Sequence, residues 1–187
     1  MSADLDRCPW CGDDPIYVAY HDDEWGKPLR DEHRLFELLL LEGAQAGLSW
    51  ITVLKKRPAY RELYDGFDAQ KMARWTDRRI EKLLTEPGII RNRLKVESAR
   101  RNARAYLDLV ERKGSFADWL WDFVDGEPIV NEFKTMAEVP AETDLSRTIS
   151  KELKRAGMNF VGPTILYAYM QSAGLVDDHL VSCYLRN

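Results

Sequence analysis

The stretch Leu38–Trp50, LLLLEGAQAGLSW, decides how the rest of the chain is organised. From Asp31 onward the apolar residues recur at helical spacing, which predicts a helix that carries Glu42 near its end in a buried position. A buried carboxylate must be hydrogen-bonded, be paired, or take up a proton. Glu42 is therefore either a structural acceptor for a backbone N–H or an acceptor for a ligand. The glycines of Gly43–Leu48 predict a tight connection whose tip can approach that ligand.

Helical periodicity continues through most of the remaining sequence, and strand-like alternation is scarce, so we predict an all-α fold. Ser49 is a suitable N-cap, and Pro58 is expected to end the helix that follows it. The other helix boundaries follow from similar cap and stop residues. The predicted helices are Glu32–Ala46, Ser49–Lys56, Pro58–Asp65, Asp68–Trp75, Asp77–Leu84, Asn92–Arg112, Phe116–Phe123, Asp144–Ala156 and Gly162–Ala173.

The length of 187 residues is sufficient for one compact core, and we predict a single domain, 1–187, folded as two helical lobes. Its first part, 1–30, combines aromatic residues with prolines and glycines and is expected to be an ordered, irregular arm. Core helices and a helical hairpin would occupy 31–112. A looser excursion is predicted over 114–143, and C-terminal helices over 144–187.

The chain has a net charge of −4, but between Arg91 and Arg104 six basic residues face the single acid Glu97. This local excess of positive charge indicates either a solvated helix face or a surface that binds nucleic acid. No apolar run approaches the roughly 20 residues of a membrane span, and the opening MSADLDRCPW lacks the pattern of a secretion signal. We therefore predict a cytoplasmic protein without a membrane partner, and a monomer.

Cysteines and histidines lie near both chain ends, which indicates a metal site. The C-terminal pair His179 and Cys183 is four residues apart, and the N-terminal group contains CPWC followed by His21. Two cysteines and two histidines suit a closed, structural Zn²⁺ site that would clamp the two ends together. A redox pair and separate buried thiols are alternatives. One of Cys8 and Cys11 is surplus to the four ligands.

Four aromatic residues, Tyr17, Tyr20, Trp25 and Trp50, flank the predicted position of Glu42 along the chain. Gathered around that acid, they would form a flat-sided slot with one hydrogen-bond acceptor, as a stacked heterocyclic base requires. The alternative is that each ring is simply part of the core.

The segment Glu86–Arg91, EPGIIR, is predicted to turn between two amphipathic helices. Gly88 would permit a positive φ, and the N–H groups that begin the next helix could hold an anion. With the basic residues that follow, this pattern is typical of a helix-hairpin-helix that grips a DNA backbone.

Five features in order resemble the bacterial 3-methyladenine DNA glycosylase I family of the helix-hairpin-helix glycosylase superfamily. They are DPIYVAYHDDEWG, LLLEGAQAGLSWITVLKKR, EPGIIRNRLKVESARRNARAY, NFVGPTILYAYMQSAGLVDDH and the final Cys183. The resemblance implies a helix-hairpin-helix fold with a structural zinc site. It also implies excision of the cationic base 3-methyladenine from double-stranded DNA, with release of free 3-methyladenine and an abasic site.

Carried over residue by residue, the resemblance implies roles for matching positions. Glu42 would be the base-recognition acid, and Gly47-Leu48 the loop that enters the duplex and fills the gap left by the extruded nucleotide. The other implied sets are base contacts from Tyr17, Tyr20, Trp25, Trp50 and Trp10, zinc ligands Cys8, His21, His179 and Cys183, and DNA-backbone contacts from Gly88, Ile90, Arg91, Arg93 and Lys95.

Superfamily relatives usually place a catalytic Asp shortly after the hairpin, and some add a nucleophilic Lys. The segment Arg91–Tyr106 contains no Asp. We therefore predict a monofunctional glycosylase without strand cleavage, in which Glu42 acts mainly in specificity. Two other classes remain open: a non-catalytic zinc-clamped DNA-binding domain, and a catalytic zinc hydrolase.

Overall fold

The protein, described by a computed structural model over residues 5–186, is mostly helical. This agrees with the predicted fold class, to which the structure adds one pair of two-residue strands. Residues 1–4 of the predicted arm and residue 187 of the predicted C-terminal segment lie outside the described residues. The helices are α1 (Pro15–Asp23), α2 (Glu32–Gln45), α3 (Trp50–Leu63), α4 (Ala69–Ala73), α5 (Asp77–Leu83), α6 (Arg93–Lys113), α7 (Phe116–Trp121), α8 (Asp144–Arg155) and α9 (Pro163–Ser172), and the strands are β1 (Ile129–Val130) and β2 (Val176–Asp177).

Helix α2 runs through the centre of the core, and all its residues from Leu35 to Ala44 are buried. The side chain of Asp31 caps its first turn by accepting a hydrogen bond from the Arg34 N–H. Near the other end, a Cβ on Gly43 would lie 3.2 Å from both the Cβ and the carbonyl oxygen of Phe160. Phe160 belongs to the loop between α8 and α9, and its close approach to Gly43 fixes the turn of α2 that carries Glu42.

Helix α3 continues through Pro58, so the predicted stop at that residue is wrong. Buried contacts on both sides of the proline hold the helix together. Arg57 donates to Glu37 over 2.6 Å and to Glu24 over 2.7 Å, and the Tyr60 hydroxyl accepts from the Ile90 N–H. These contacts outweigh the loss of one backbone donor and the strain that proline introduces.

The arm is more regular than predicted, because it contains α1. Asp14 caps this helix by accepting from the Ile16 N–H, and Pro15 occupies its first position, where no donor is needed. The dense aromatic and turn-forming residues of this segment concealed the short helix.

The predicted excursion 114–143 contains α7, β1 and two 3₁₀ turns, Asp122–Val124 and Met136–Glu138. Strand β1 pairs in parallel with β2, with Ile129 opposite Val176 and Val130 opposite Asp177. The excursion is thereby attached to the segment that follows α9. The division into two lobes stays a prediction.

The N-terminal arm is also tied to the C-terminal region. Gly26 N–H donates to the Gln171 carbonyl, and Leu29 N–H donates to the Ala173 carbonyl, both over 3.0 Å. Gly174 adopts φ +70° and lies so close to the arm that a Cβ there would be 2.3 Å from the carbonyl carbon of Lys27. Only glycine fits this backbone angle and this contact. None of the helices within residues 5–186 combines the length and hydropathy that crossing a bilayer requires.

Candidate functional site

A cavity of about 290 Å³ lies where the arm, the end of α2, the start of α3 and α9 meet. The structure brings together there the predicted acid and all the predicted rings. These lining residues are Trp10, Tyr17, Tyr20, Trp25, Glu42 and Trp50. Their roles stay predictions, but residues far apart in the sequence now share one cavity.

Glu42 is 2% exposed, and its Oε1 accepts a hydrogen bond from the Ser172 hydroxyl of α9. Burial raises the pKa of Glu42 to about 8, although the hydrogen bond from Ser172 lowers it. Burial therefore favours the neutral acid near pH 7. A cation in the cavity would favour the carboxylate.

The rings around the acid pack edge to face or at a tilt. The centroid of Trp10 lies 5.0 Å from that of Tyr17 and 4.9 Å from that of Trp25, and Tyr20 and Trp50 are 5.5 Å apart. Within residues 5–186, Trp10 Nε1, Trp50 Nε1 and the Tyr20 hydroxyl are buried without a hydrogen-bond partner. Buried polar groups normally find partners, so these atoms indicate space for a polar, flat ligand.

Several lining residues escaped the sequence analysis, and most of them come from α9, from the segment after it and from the excursion. Gln45, the last residue of α2, is the exception. Asp178 is the one whose sequence context offered a signal, since it stands next to His179 in a pair of acids. The missed residues are Gln45, Met136, Val139, Pro140, Ala141, Thr164, Tyr167, Ala168, Gln171, Ser172 and Asp178.

The loop predicted to enter the duplex, Gly47-Leu48, is called the wedge loop below. It lies between two lining residues, Gln45 and Trp50. Gly47 has φ +77°, and Leu48 is 40% exposed although it is a large apolar residue. The Leu48 N–H donates to the Gln45 carbonyl over 2.7 Å, which holds the loop as a tight turn. An exposed leucine on a rigid turn suits insertion into an apolar gap.

Helices α5 and α6 and the turn between them occupy the segment of the predicted helical hairpin. The turn's glycine is required for a different reason than predicted: Gly88 does not have a positive φ, but a Cβ there would lie 2.7 Å from the Cβ of Ala59. Asn92 caps α6 by accepting from the Lys95 N–H. The hairpin thus packs directly on α3.

The predicted DNA-backbone residues differ in whether their donors already form hydrogen bonds within the protein. Arg91 is exposed, whereas Arg93 forms two hydrogen bonds with Glu81. The Ile90 N–H is bound to the Tyr60 hydroxyl. Lys95 Nζ donates to the carbonyls of Ala44 over 2.9 Å and Ala46 over 2.6 Å. Lys95 therefore joins the hairpin to the end of α2 and the wedge loop.

A second cluster lies behind the cavity, where Cys8, His21 and Cys183 each place one ligand atom within 4.8 Å of the others. The ring of His179 packs against that of His21 with centroids 5.1 Å apart, and its buried Nε2 has no hydrogen-bond partner among the described residues. Cys11 points elsewhere, because its thiol donates to the Cys8 carbonyl over 3.2 Å.

The donor set of this cluster fits a metal. Each histidine forms a hydrogen bond to a carboxylate through Nδ1: His21 to Asp22 and His179 to Asp177, both over 2.8 Å. This leaves Nε2 for a metal, in the arrangement that orients ligating histidines. Burial lowers the pKa of His21, which favours the neutral, metal-binding form. Two thiols and two imidazoles suit tetrahedral Zn²⁺.

Comparison with known proteins identifies the relatives of this chain. The sequence profile of the family described as "Methyladenine glycosylase" matches residues 10–187. The chain belongs to the methyladenine glycosylase family. One family relative, the DNA-3-methyladenine glycosylase of Haemophilus influenzae, is 50% identical over 177 residues, which cover 95% of this chain and 96% of that protein.

Solved structures of the family agree with this assignment. A crystal structure of 3-methyladenine DNA glycosylase I (TAG) is similar with a TM-score of 0.95 and 46% identity, covering 97% of this chain and 100% of that one. A variant of 3-methyladenine DNA glycosylase I in complex with 3-methyladenine has a TM-score of 0.94 and 38% identity, with 97% of each chain covered. The resemblance in the sequence motifs is therefore confirmed.

Proposed function

We propose that this enzyme hydrolyses the N-glycosidic bond of 3-methyladenine in alkylated double-stranded DNA and leaves an abasic site. The observation that carries the proposal is the buried acceptor Glu42 among aromatic rings in a cavity of about 290 Å³. Family relatives are named for this activity, and one related structure contains 3-methyladenine.

Methylation at N3 gives the base in DNA a positive charge, so it departs as a neutral molecule and needs little acid catalysis. The glycosidic bond breaks toward an oxocarbenium-like sugar, which water then attacks. The rings stack on the departing base, and Glu42 accepts a hydrogen bond from its exocyclic amine. A cationic base lowers the pKa of the nearby Glu42 and so promotes the ionised acceptor.

Access to the base requires that the nucleotide leave the stack. Leu48 would fill the gap, because an apolar side chain replaces part of the lost stacking contact. Its neighbour Gly47 keeps the tip narrow: a Cβ there would meet no atom within 4 Å, so the space around it is free for DNA.

The hairpin would hold the DNA backbone through the turn at Gly88 and the basic side chains of Arg91 and Arg93. Ile90 and Lys95 would contribute indirectly, since their donors already stabilise the turn and the wedge loop. Cys8, His21, His179 and Cys183 would hold Zn²⁺, which would supply a cross-link between the chain ends.

We further propose that the enzyme is monofunctional. A lyase of this superfamily needs an amine at the reacting sugar, and no lysine is among the described residues that line the cavity. The amine of Lys95, in the first turn of α6, is already bound to two carbonyls.

The proposal is tested by incubating the purified protein with alkylated DNA and separating the released bases. We expect free 3-methyladenine and DNA that carries abasic sites without strand breaks. Glu42→Gln should release the base at least tenfold more slowly and bind free 3-methyladenine more weakly, because an amide is a poorer acceptor. Binding of alkylated DNA without release of any base would instead support a non-catalytic DNA-binding domain.

A further inference from the structure

The cavity contains a second acid, Asp178, which the proposed reaction does not use. Asp178 follows β2, is 3% exposed and lines the cavity together with Glu42. Its neighbour Asp177 serves the other cluster, where it accepts from His179 Nδ1. Two adjacent acids of one extended segment thus serve two different sites.

Three neutral donors converge on the Asp178 carboxylate. Asn131 Nδ2 donates to Oδ1 over 2.7 Å, while the Tyr167 hydroxyl and Gln171 Nε2 donate to Oδ2 over 2.5 and 2.8 Å. A carboxylate that only accepts is the ionised form. Donors therefore satisfy both oxygens of Asp178, and residues from α9 and from the excursion hold the carboxylate in one orientation.

Nothing charged in the cavity wall offsets this carboxylate. Among the described lining residues the only ionisable acids are Glu42 and Asp178, and none is Lys, Arg or His. Burial favours the neutral form of Glu42. Asp178 is consequently a source of negative potential in a wall made mainly of rings and small side chains.

We infer that Asp178 is a specificity-determining residue that selects cationic bases by its charge. This inference rests on the proposed function. The three donors occupy its oxygens, so it acts across the cavity rather than by a hydrogen bond to the base. Charges interact strongly where water is excluded, so a cationic base is favoured over a neutral base of the same shape.

The same charge distinguishes substrate from product. When the glycosidic bond breaks, the positive charge passes from the base to the sugar, and the released 3-methyladenine is neutral. Asp178 then no longer attracts the base but still stabilises the oxocarbenium-like sugar. The residue would thus favour substrate binding and bond cleavage without retaining the product.

The test compares two ligands that differ in charge. The first is free 3-methyladenine at a pH where it is neutral, and the second is its N9-methyl derivative, a permanent cation. Asp178→Asn removes the charge with little change in shape, and the Asn131 amide can rotate so that its oxygen accepts from the new amide. We expect Asp178→Asn to weaken binding of the cation about tenfold and to change binding of the neutral base less than twofold.

Asn131→Ala is the matched control, since it removes one hydrogen bond and keeps the charge, so the ratio of the two affinities should stay near that of the parent protein. The zinc content of each variant is measured to exclude an indirect effect through His179. If Asp178→Asn does not fold, Asp178→Ser provides the same comparison. If Asp178→Asn leaves the ratio of cation affinity to neutral-base affinity unchanged while the parent protein still releases base, the inference about Asp178 is wrong and the proposed function stands. Failure of the parent to release 3-methyladenine would instead overturn the proposed function.

Discussion

At the scale of single residues, Glu42 illustrates a conflict between recognition and stability. A carboxyl group with 2% exposure loses its hydration, and Ser172 is its one hydrogen-bond donor among the described residues. A core residue of similar shape without a titratable group would suit the fold better. The acid is explained by the ligand it is proposed to bind.

This conflict predicts a pH dependence. The folded pKa of Glu42, about 8, lies above its ordinary value of 4.5, so between these pH values the folded protein holds more protons than the unfolded chain. Through this group the free energy of unfolding should fall by about 1.4 kcal/mol per pH unit as the pH rises across that interval. Glu42→Gln lacks this loss and should become more stable than the parent as the pH approaches 8.

Denaturant unfolding at several pH values measures the effect. Glu62→Gln is a suitable control for the loss of a carboxyl group, because Glu62 is exposed to solvent. Parallel profiles for Glu42→Gln and the parent would show that Glu42 titrates normally.

At the scale of elements, Lys95 connects two pieces that the sequence presents as separate. Its ammonium group binds carbonyls at the C-terminal end of α2, where the helix dipole favours a cation. Burial lowers the pKa of Lys95, but these contacts compensate with charge-assisted hydrogen bonds. Lys95 therefore fixes the start of α6 relative to the end of α2.

Lys95→Met should lower the free energy of unfolding by about 1.5–3 kcal/mol, because two carbonyls lose a charged donor. Base release from duplex DNA should fall as well, while free 3-methyladenine should still bind, since the cavity wall is unaltered. Lys151→Met, an exposed position on α8, provides the control for removing a lysine charge. Equal stability of both variants would contradict the structural role of Lys95.

Local sequence signals account for a definite part of these elements. Helical periodicity located α2 and α6, and Ser49 was correctly predicted as the N-cap of α3, because those signals act within a few residues. The helix end predicted at Pro58 is wrong because burial of Arg57 and Tyr60 outweighs the local tendency of proline to end a helix. Asp178 and Gln171 were missed because only the folded chain brings them beside Glu42. Local patterns carry no information about such distant neighbours.

At the scale of the whole molecule, the proposed zinc site would join chain ends that are more than 170 residues apart in sequence. Binding energy at such a cluster becomes folding energy, because the ligands are not assembled in the unfolded chain. Removal of zinc by a strong chelator should therefore lower the thermal midpoint by several degrees. Thermal unfolding and metal analysis of the same samples measure this effect.

Variants of two cysteines provide the matched comparison. Cys183→Ser should lose zinc and stability together, whereas Cys11→Ser should retain the metal, because the Cys11 thiol is directed at a backbone carbonyl. A protein that is purified without zinc, or a Cys183→Ser variant with full zinc content, would contradict the proposed ligand set.

The pairing of the excursion with the C-terminal segment has a consequence for local opening. Three backbone hydrogen bonds join the excursion to the segment that carries His179: Ile129 N–H to the Leu175 carbonyl, Asn131 N–H to the Asp177 carbonyl, and Val181 N–H to the Phe133 carbonyl. The excursion, which forms part of the cavity wall, is thus bonded to that segment. Such segments open as one cooperative unit. Their amide hydrogens should exchange with solvent at a common rate, and that rate should rise in both segments when either one is released.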